Sequence, residues 1–447
     1  MTLLLRPDPQ TLDEEQSLIS DEFVPMLGAL PSVLEIGEAL AEAPNLRTSS
    51  MATVAMEAVT RSPASRLANP GISANVAKLT VGGSLNYNSM LTILQDAAVG
   101  GMTATKFSTL QTLASMLNAP GGIAVSSYVR QITDDVIKGN SANADWNGGS
   151  SNTVKLGDLN AKSTQTQVES LIGKWFLGTD LPSLSVAAID ETNFDPTYRL
   201  SALPIFGPSG APSYLDVNQG YVGDCYFAAS LAETALQDPS AIKSMIMGNG
   251  NGTCSVRFYI NGQADYVTVN RDLAVMGGGY EWSDNSTLEF ANGPVAWAAL
   301  IEKAYVQLNE QNVAAEVGGH TPGDAYEDIN GGGAQALTEI TNQSFNSYSV
   351  YSGESASSLN SLMSTLGSDW KAHDELIMST PANTTGNLVG NHMFEVTGVN
   401  VAAGTISLQN PWNAGYSGPL AMDFTESIEQ LAQSGVSLYA TTGKAVA

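Results

Sequence analysis

Residues 218–226 read NQGYVGDCY and hold one of only two cysteines in a chain of 447 residues. Cys225 directly precedes an apolar-periodic run, CYFAASLAETALQ, whose spacing predicts a helix that begins at about the cysteine. A sulfur at a helix start lies near unpaired N–H groups and the positive end of the dipole, which favours the thiolate. Gly220 and Gly223 let the backbone turn tightly before it. Acyl transfer further requires donors for the oxyanion, a base, and a group that orients the base. Gln219 lies six residues before Cys225 and can offer its side-chain N–H alongside the Cys225 backbone N–H.

The base is chosen among three histidines. His320 lies in the Gly-rich GGHTPG and His373 in the polar DWKAHDE, and both read as ordinary surface residues. His392, in GNHMFEVTGV, opens an alternating apolar strand, a rigid mount for a base. Asn410 in SLQNPW ends the following strand, and a hairpin of this kind brings its side-chain amide to the second imidazole nitrogen. A transglutaminase also pairs Cys with His, but its usual third residue is Asp where this chain has Asn410.

Five segments in a fixed order resemble the calpain-like cysteine peptidases: DVNQGYVGDCYFAASLAETA, WAALIEKAYVQLNE, YEDINGGGAQALTEIT, NHMFEVTGVN and ISLQNPW, within about Asp195 to Thr442. The resemblance implies a papain-like core of two lobes, the first carrying the Cys and the second the His and Asn. It implies Cys225 as nucleophile, His392 as base and later acid, Asn410 as orienting residue, Gln219 as oxyanion donor and Trp412 as the shield of the Asn–His pair. Tyr226 stands where Trp is common and Met393 where a small residue is usual. Animal calpains bind calcium within this core, and Asp216, nine residues before Cys225, matches one ligand, a candidate for calcium binding here. The glutamate expected before the Gly-rich loop is displaced to Glu316, and NAGYSGPLAMDF replaces the acidic run expected after NPW, so calcium dependence of the animal type is not implied. No organic cofactor is expected. The accessory regulatory domains of animal calpains are not expected either, since the chain stops soon after the core.

Outward from this core, residues 1–70 read as a flexible leader rich in Ala, Ser, Pro and Glu, and 71–190 as a helical region, a candidate prosegment or regulatory domain. Within it KGNSANADWNGGSSNTVK (138–155) predicts an exposed loop or linker, with self-cleavage expected near 140–155. Residues 191–342 then form lobe 1 and 343–447 lobe 2, and an Asn261-Gly262 turn in lobe 1 predicts a hairpin. Helices followed by strands give an α+β class: a papain-like two-lobed core after a mainly helical N-terminal region.

The net charge of −26 argues against nucleic acid and anionic membrane surfaces as partners, since both demand clustered Lys and Arg. It is uneven, with 24 acids and 6 bases in residues 201–447. Two cysteines make no disulfide framework, no apolar run is long enough for a membrane span, and no standard signal peptide opens the chain. Protein or peptide substrates are the expected partners of a soluble protein, cytoplasmic or exported by another route; nothing in the sequence sets an oligomeric state. The expected function is limited proteolysis through a Cys-His-Asn triad with N-terminal self-processing. The alternative is a catalytically quiet scaffold.

Overall fold

A computed structural model describes residues 63–184, 196–276, 279–280, 295–311, 322–412 and 419–446. His320, Glu316 and the leader up to residue 62 lie outside them. The class is α+β. Among the described residues five helices come first: α1 (Pro70–Leu79), α2 (Tyr87–Ala98), α3 (Ala104–Asn118), α4 (Ser127–Ile137) and α5 (Gln165–Ile172). Each begins at an Asn, Ser or Thr whose side chain accepts a backbone N–H of the first turn, so the polar residues between apolar runs set the helix starts. Their inward faces, including Met90, Ile93, Leu110 and Ile132, form one apolar core with Trp175 and Phe176.

The segment 138–155 departs from the expected linker. It carries a 3₁₀ turn (Ser141–Ala144) and a short hairpin of β1 (Asp145–Trp146) and β2 (Val154–Lys155). Asn143 is fully buried: its Nδ2 donates to the Asp135 carbonyl at 2.9 Å and its Oδ1 accepts from Trp175 Nε1 at 2.7 Å. The polar composition that suggests a loop instead supplies partners for buried backbone. Only the stretch 150–155 is continuously exposed.

Next come β3 (Thr197–Leu200), the helices α6 (Cys225–Gln237) and α7 (Pro239–Met245), and strands β4 (Ile246–Gly248), β5 (Thr253–Ile260), β6 (Gln263–Asn270), β7 (Asp272–Met276) and β8 (Gly279–Tyr280). The β5–β6 hairpin turns at Asn261 (φ 49°) and Gly262 (φ 76°), the two left-handed residues that the Asn-Gly pair predicts. Helix α8 (Trp297–Glu310) crosses the centre of this part and α9 (Gln335–Thr341) closes it. A second core forms here from α6, β5, α8 and α9, with Tyr305 stacked on Phe227 and tilted against Phe258 at its centre.

The last part is one antiparallel sheet of β9 (Gln343–Ser349), β10 (Leu376–Ser379), β11 (Met393–Asn400), β12 (Thr405–Gln409), β13 (Asp423–Ser427) and β14 (Ser437–Ala445), in the order β13-β12-β11-β10-β14-β9. One face packs under α10 (Ala356–Ala372) and α11 (Ile428–Ser434) as a third core. Ile377 and Met393 on the other face join the second core, so α6 lies against β10 and β11. Glu233 of α6 fixes this contact, since its buried carboxyl accepts the Leu376 N–H at 3.1 Å.

The helical region is fastened to the second core by polar contacts. The Tyr128 and Thr268 hydroxyls lie 2.7 Å apart, Ser141 Oγ donates to the Gln311 carbonyl at 2.6 Å, and Asn147 Nδ2 donates to the Asp324 carbonyl at 2.9 Å. Beneath them Lys174 Nζ sits 2.7 Å from both Asp180 and Glu310, all largely buried.

The acidic surplus reaches inward, which makes stability depend on pH in an unusual sense. Burial pushes Asp135, Asp224, Glu310 and Glu339 each up to about 7. From the ordinary carboxylate range up to that value the folded chain holds protons that the unfolded chain releases, so stability falls as pH rises through the window. The expected result is a thermal midpoint that is higher near pH 5 than near pH 8. A midpoint that climbs over the same interval contradicts these buried neutral acids.

Candidate active site

Cys225 is the first residue of α6, and His392 immediately precedes β11, the strand packed against that helix. The loop before α6 is held on both sides. Gln219 N–H donates to the Pro411 carbonyl at 2.7 Å, and Gly223 N–H donates to Asn330 Oδ1 at 2.6 Å. Gly223 has an ordinary negative φ, so it is needed for the close approach of Asn330, which a Cβ would meet at 3.1 Å, rather than for a left-handed turn. Tyr226, one residue beyond the cysteine, lies over Gly332, where any Cβ would meet its ring at 2.5 Å, and its hydroxyl donates to the Ile329 carbonyl at 3.0 Å. The Gly-rich segment after α8 is therefore a seat for the first turn of the cysteine helix.

His392 and Asn410 are 95% and fully buried, and His392 Nε2 lies 2.9 Å from Asn410 Oδ1. That oxygen also accepts the Trp412 backbone N–H at 3.0 Å, which fixes the amide orientation. Nε2 must then be the protonated nitrogen, leaving the Nδ1 lone pair free to take a proton. The Trp412 ring centroid lies 4.9 Å from the imidazole and the Phe394 ring meets it edge-on at 5.0 Å, shielding the pair from water. The geometry thus brings together the His, Asn and Trp that the sequence singles out. His373 is elsewhere, at the end of α10, with Nδ1 3.3 Å from Gln237 Oε1.

The electrostatics differ from the sequence expectation of a favoured thiolate. Burial first, and then the neighbouring Asp224 charge, push the Cys225 thiol up to about 11, although the amides of Met393, Tyr226 and Cys225 itself oppose this. A helix terminus contributes about 0.3–1 kcal/mol, less than one pKa unit, whereas burial shifts a group by up to several. Burial wins. It also holds His392 down at about 4, against the Asn410 hydrogen bond. The resting pair is a neutral thiol and a neutral imidazole. Met393, buried against α6, fills the second core with its side chain while its N–H faces the sulfur.

Gln219 is near the cysteine, but its Nε2 donates to the Val222 carbonyl at 2.7 Å, so this amide is turned into its own loop. Asp216 is 99% buried, and its Oδ2 accepts Trp297 Nε1–H at 2.8 Å and Ser213 N–H at 2.9 Å. This is a capping role between neutral donors. Among the described residues the one group of three acids that could hold an ion is Asp180, Glu310 and Asp324, without Asp216, and Lys174 already supplies its positive charge. The described residues around Asp216 do not fit a calcium ion. Sequence reading missed Asn330, which supports the cysteine loop from behind and which no local pattern marks.

The profile of the calpain family cysteine proteases matches residues 198–430. The chain belongs to the calpain family of cysteine proteases. It is 27% identical over 273 residues to Calpain-13 of Rattus norvegicus, covering 58% of this chain and 37% of that protein. It is 28% identical over 219 residues to a calpain of Schistosoma mansoni, covering 46% and 27%. Identity to the Calpain-2 catalytic subunit of Homo sapiens is 27% over 214 residues, covering 45% and 28%. The match thus spans about a third of the length of these relatives. Among the described residues no helix is long and apolar enough to cross a membrane.

Proposed function

We propose that this chain is a calpain-like cysteine endopeptidase that cleaves proteins or peptides at few sites. The observation that carries the reading is the hydrogen bond from His392 Nε2 to Asn410 Oδ1, which leaves Nδ1 free on a strand packed against the helix of Cys225. In the reaction Nδ1 takes the thiol proton, the sulfur attacks the scissile carbonyl, and the imidazolium protonates the leaving amine to give a thioester. His392 then draws a proton from water, which hydrolyses the thioester and restores the thiol. The backbone N–H of Cys225, with Gln219 once its amide leaves Val222, stabilises the oxyanion. The cores built on residues 217–340 and 350–440 are read as the two lobes of a papain-like enzyme.

The neutral resting pair needs a shift that brings Nδ1 onto the sulfur, and the helical region docked on the β5–β6 hairpin is read as a prosegment or regulatory domain. Its exposed stretch 150–155 is the expected self-cleavage site. Incubating the full chain beside a Cys225→Ala variant, with calcium or with a chelator, and sequencing the N-termini of the products tests this. Loss of the full-length band in the native chain alone is expected; equal persistence in both removes self-processing. The turned-away Gln219 favours a second reading, a catalytically quiet scaffold. Labelling of Cys225 by an epoxide thiol inhibitor, lost in His392→Ala, is expected of the peptidase and not of the scaffold.

A further inference from the structure

The exposed stretch 150–155 divides a region whose two sides are stitched together. Asn143, before it, accepts Trp175 Nε1–H at 2.7 Å and donates from Nδ2 to Asp158 Oδ1 at 2.9 Å. The Asn147 and Gly148 N–H groups both donate to Asp180 Oδ1, at 2.8 and 2.7 Å, and Gly149 N–H donates to the Leu181 carbonyl at 2.7 Å. Leu110, Ile132 and Val136 from before the stretch share one apolar core with Leu171, Trp175 and Phe176 from after it. The earlier side also meets the β5–β6 hairpin directly. The Ser127 and Tyr266 hydroxyls lie 2.8 Å apart, Gln131 Nε2 donates to Asp265 Oδ1 at 2.5 Å, and the Tyr128 ring contacts those of Tyr87 and Tyr266, with centroids 6.0 and 5.7 Å away. None of these contacts ends on a residue of the candidate active site.

Another line of contacts runs towards the nucleophile. Asn147 Nδ2 donates to the Asp324 carbonyl at 2.9 Å, Ser183 N–H donates to the same carbonyl at 2.7 Å, and the Ser183 carbonyl accepts Tyr326 N–H at 3.2 Å. Three residues further on, Ile329 and Asn330 hold Tyr226 and Gly223, on either side of Cys225. From this geometry we infer that residues 63–184 are a permanent brace of the catalytic core and not a prosegment that is shed: a cut within 150–155 leaves the two fragments bound as one particle, and Asn147 is a positioning residue for the segment 324–332 that seats Cys225. Parting the fragments would leave Trp175 Nε1–H unpaired and open the shared apolar core to water, and both effects oppose release. The inference deepens the peptidase reading, and rests on it for its consequence in catalysis.

The test inserts the recognition sequence of an added sequence-specific protease between Ser151 and Asn152 of the full Cys225→Ala chain, an exposed place where insertions are tolerated. After complete cutting, size-exclusion chromatography in native buffer is expected to give one peak at the volume of the uncut chain, which denaturing electrophoresis resolves into both fragments. Elution of the N-terminal fragment in a peak of its own overturns the inference. Hydrogen exchange then compares Asn147→Ala with the native chain, both uncut. Amides in 324–332 and 220–227 are expected to exchange about fivefold faster in the variant, the share of one lost hydrogen bond, with those of β11 and β12 unchanged. No change at 324–332, or equal acceleration in β11 and β12, removes Asn147 as a positioning residue. Neither measurement needs cleavage by this chain, so a protein that behaves as expected in both and yet cuts neither itself nor a peptide refutes the peptidase reading alone.

Discussion

Under the proposed peptidase mechanism, His392→Ala is expected to lower peptide cleavage by about 10²–10⁴-fold, the contribution of one positioned general acid and base. The fold survives, because the imidazole lies at the end of a strand and hydrogen-bonds one side chain, Asn410. Asn410→Ala is expected to retain more activity than His392→Ala. Its loss leaves His392 free to choose either tautomer and to rotate, yet keeps the base present. The two variants also separate by pH. In His392→Ala the residual thiol reactivity follows the thiol alone and climbs towards about 11, the value that burial sets for Cys225. Steady-state cleavage of a casein-type substrate, with circular dichroism to confirm folding, measures both. Equal activity of His392→Ala and the native chain removes His392 from the mechanism.

Lys174→Met is the substitution expected to cost most stability. The ammonium lies 2.7 Å from Asp180 and from Glu310, and Asp324, in the turn after α8, acts on it as well. Removing the cation leaves three acids facing one another out of water, and breaking a buried pair in this way typically costs about 3–5 kcal/mol. The cost depends on pH. Glu310 is held at about 7 and Asp324 well above the usual carboxylate range, both by burial first. Near pH 5 protonated acids make the lost cation matter little, whereas near pH 8 the native chain gains from the ionised Lys174–Glu310 pair and the variant must bury that charge unpaired or bind a proton in its place. Denaturant midpoints at the two pH values are expected to show a small loss in acid and a large one in base. An equal loss at both contradicts a charge-linked junction. The same residues tie the helical region to α8, so the variant also reports on how firmly that region is docked.

Much of the site is legible in the chain itself because its parts are local. A helix that starts at Cys225, a strand that starts after His392 and another that ends at Asn410 are each set by periodicity and turn residues, and an antiparallel hairpin leaves its two ends adjacent. Trp412 comes with them, two residues from Asn410. The Asn261-Gly262 hairpin is legible for the same reason, since both residues accept left-handed backbone.

Other features depend on what surrounds a residue, which no local pattern states. The segment 138–155 has a loop's composition and is nonetheless anchored, because buried Asn143 satisfies groups from Asp135 and Trp175 that lie apart in the chain. Glu302 and Lys303 look like an ordinary charged pair on a helix; only the packing of α8 on all sides shows that both are buried and that Lys303 meets Asn270. Asp216 reads as an ion ligand from its spacing, yet Trp297, far along the chain, takes its oxygen. The ionisation of Cys225 belongs to the same set. Sequence alone places a sulfur at a helix start and names its partners in the family's order, since covalent order and periodicity carry that information. Burial, a property of the assembled chain, outweighs the helix terminus and makes the resting thiol neutral.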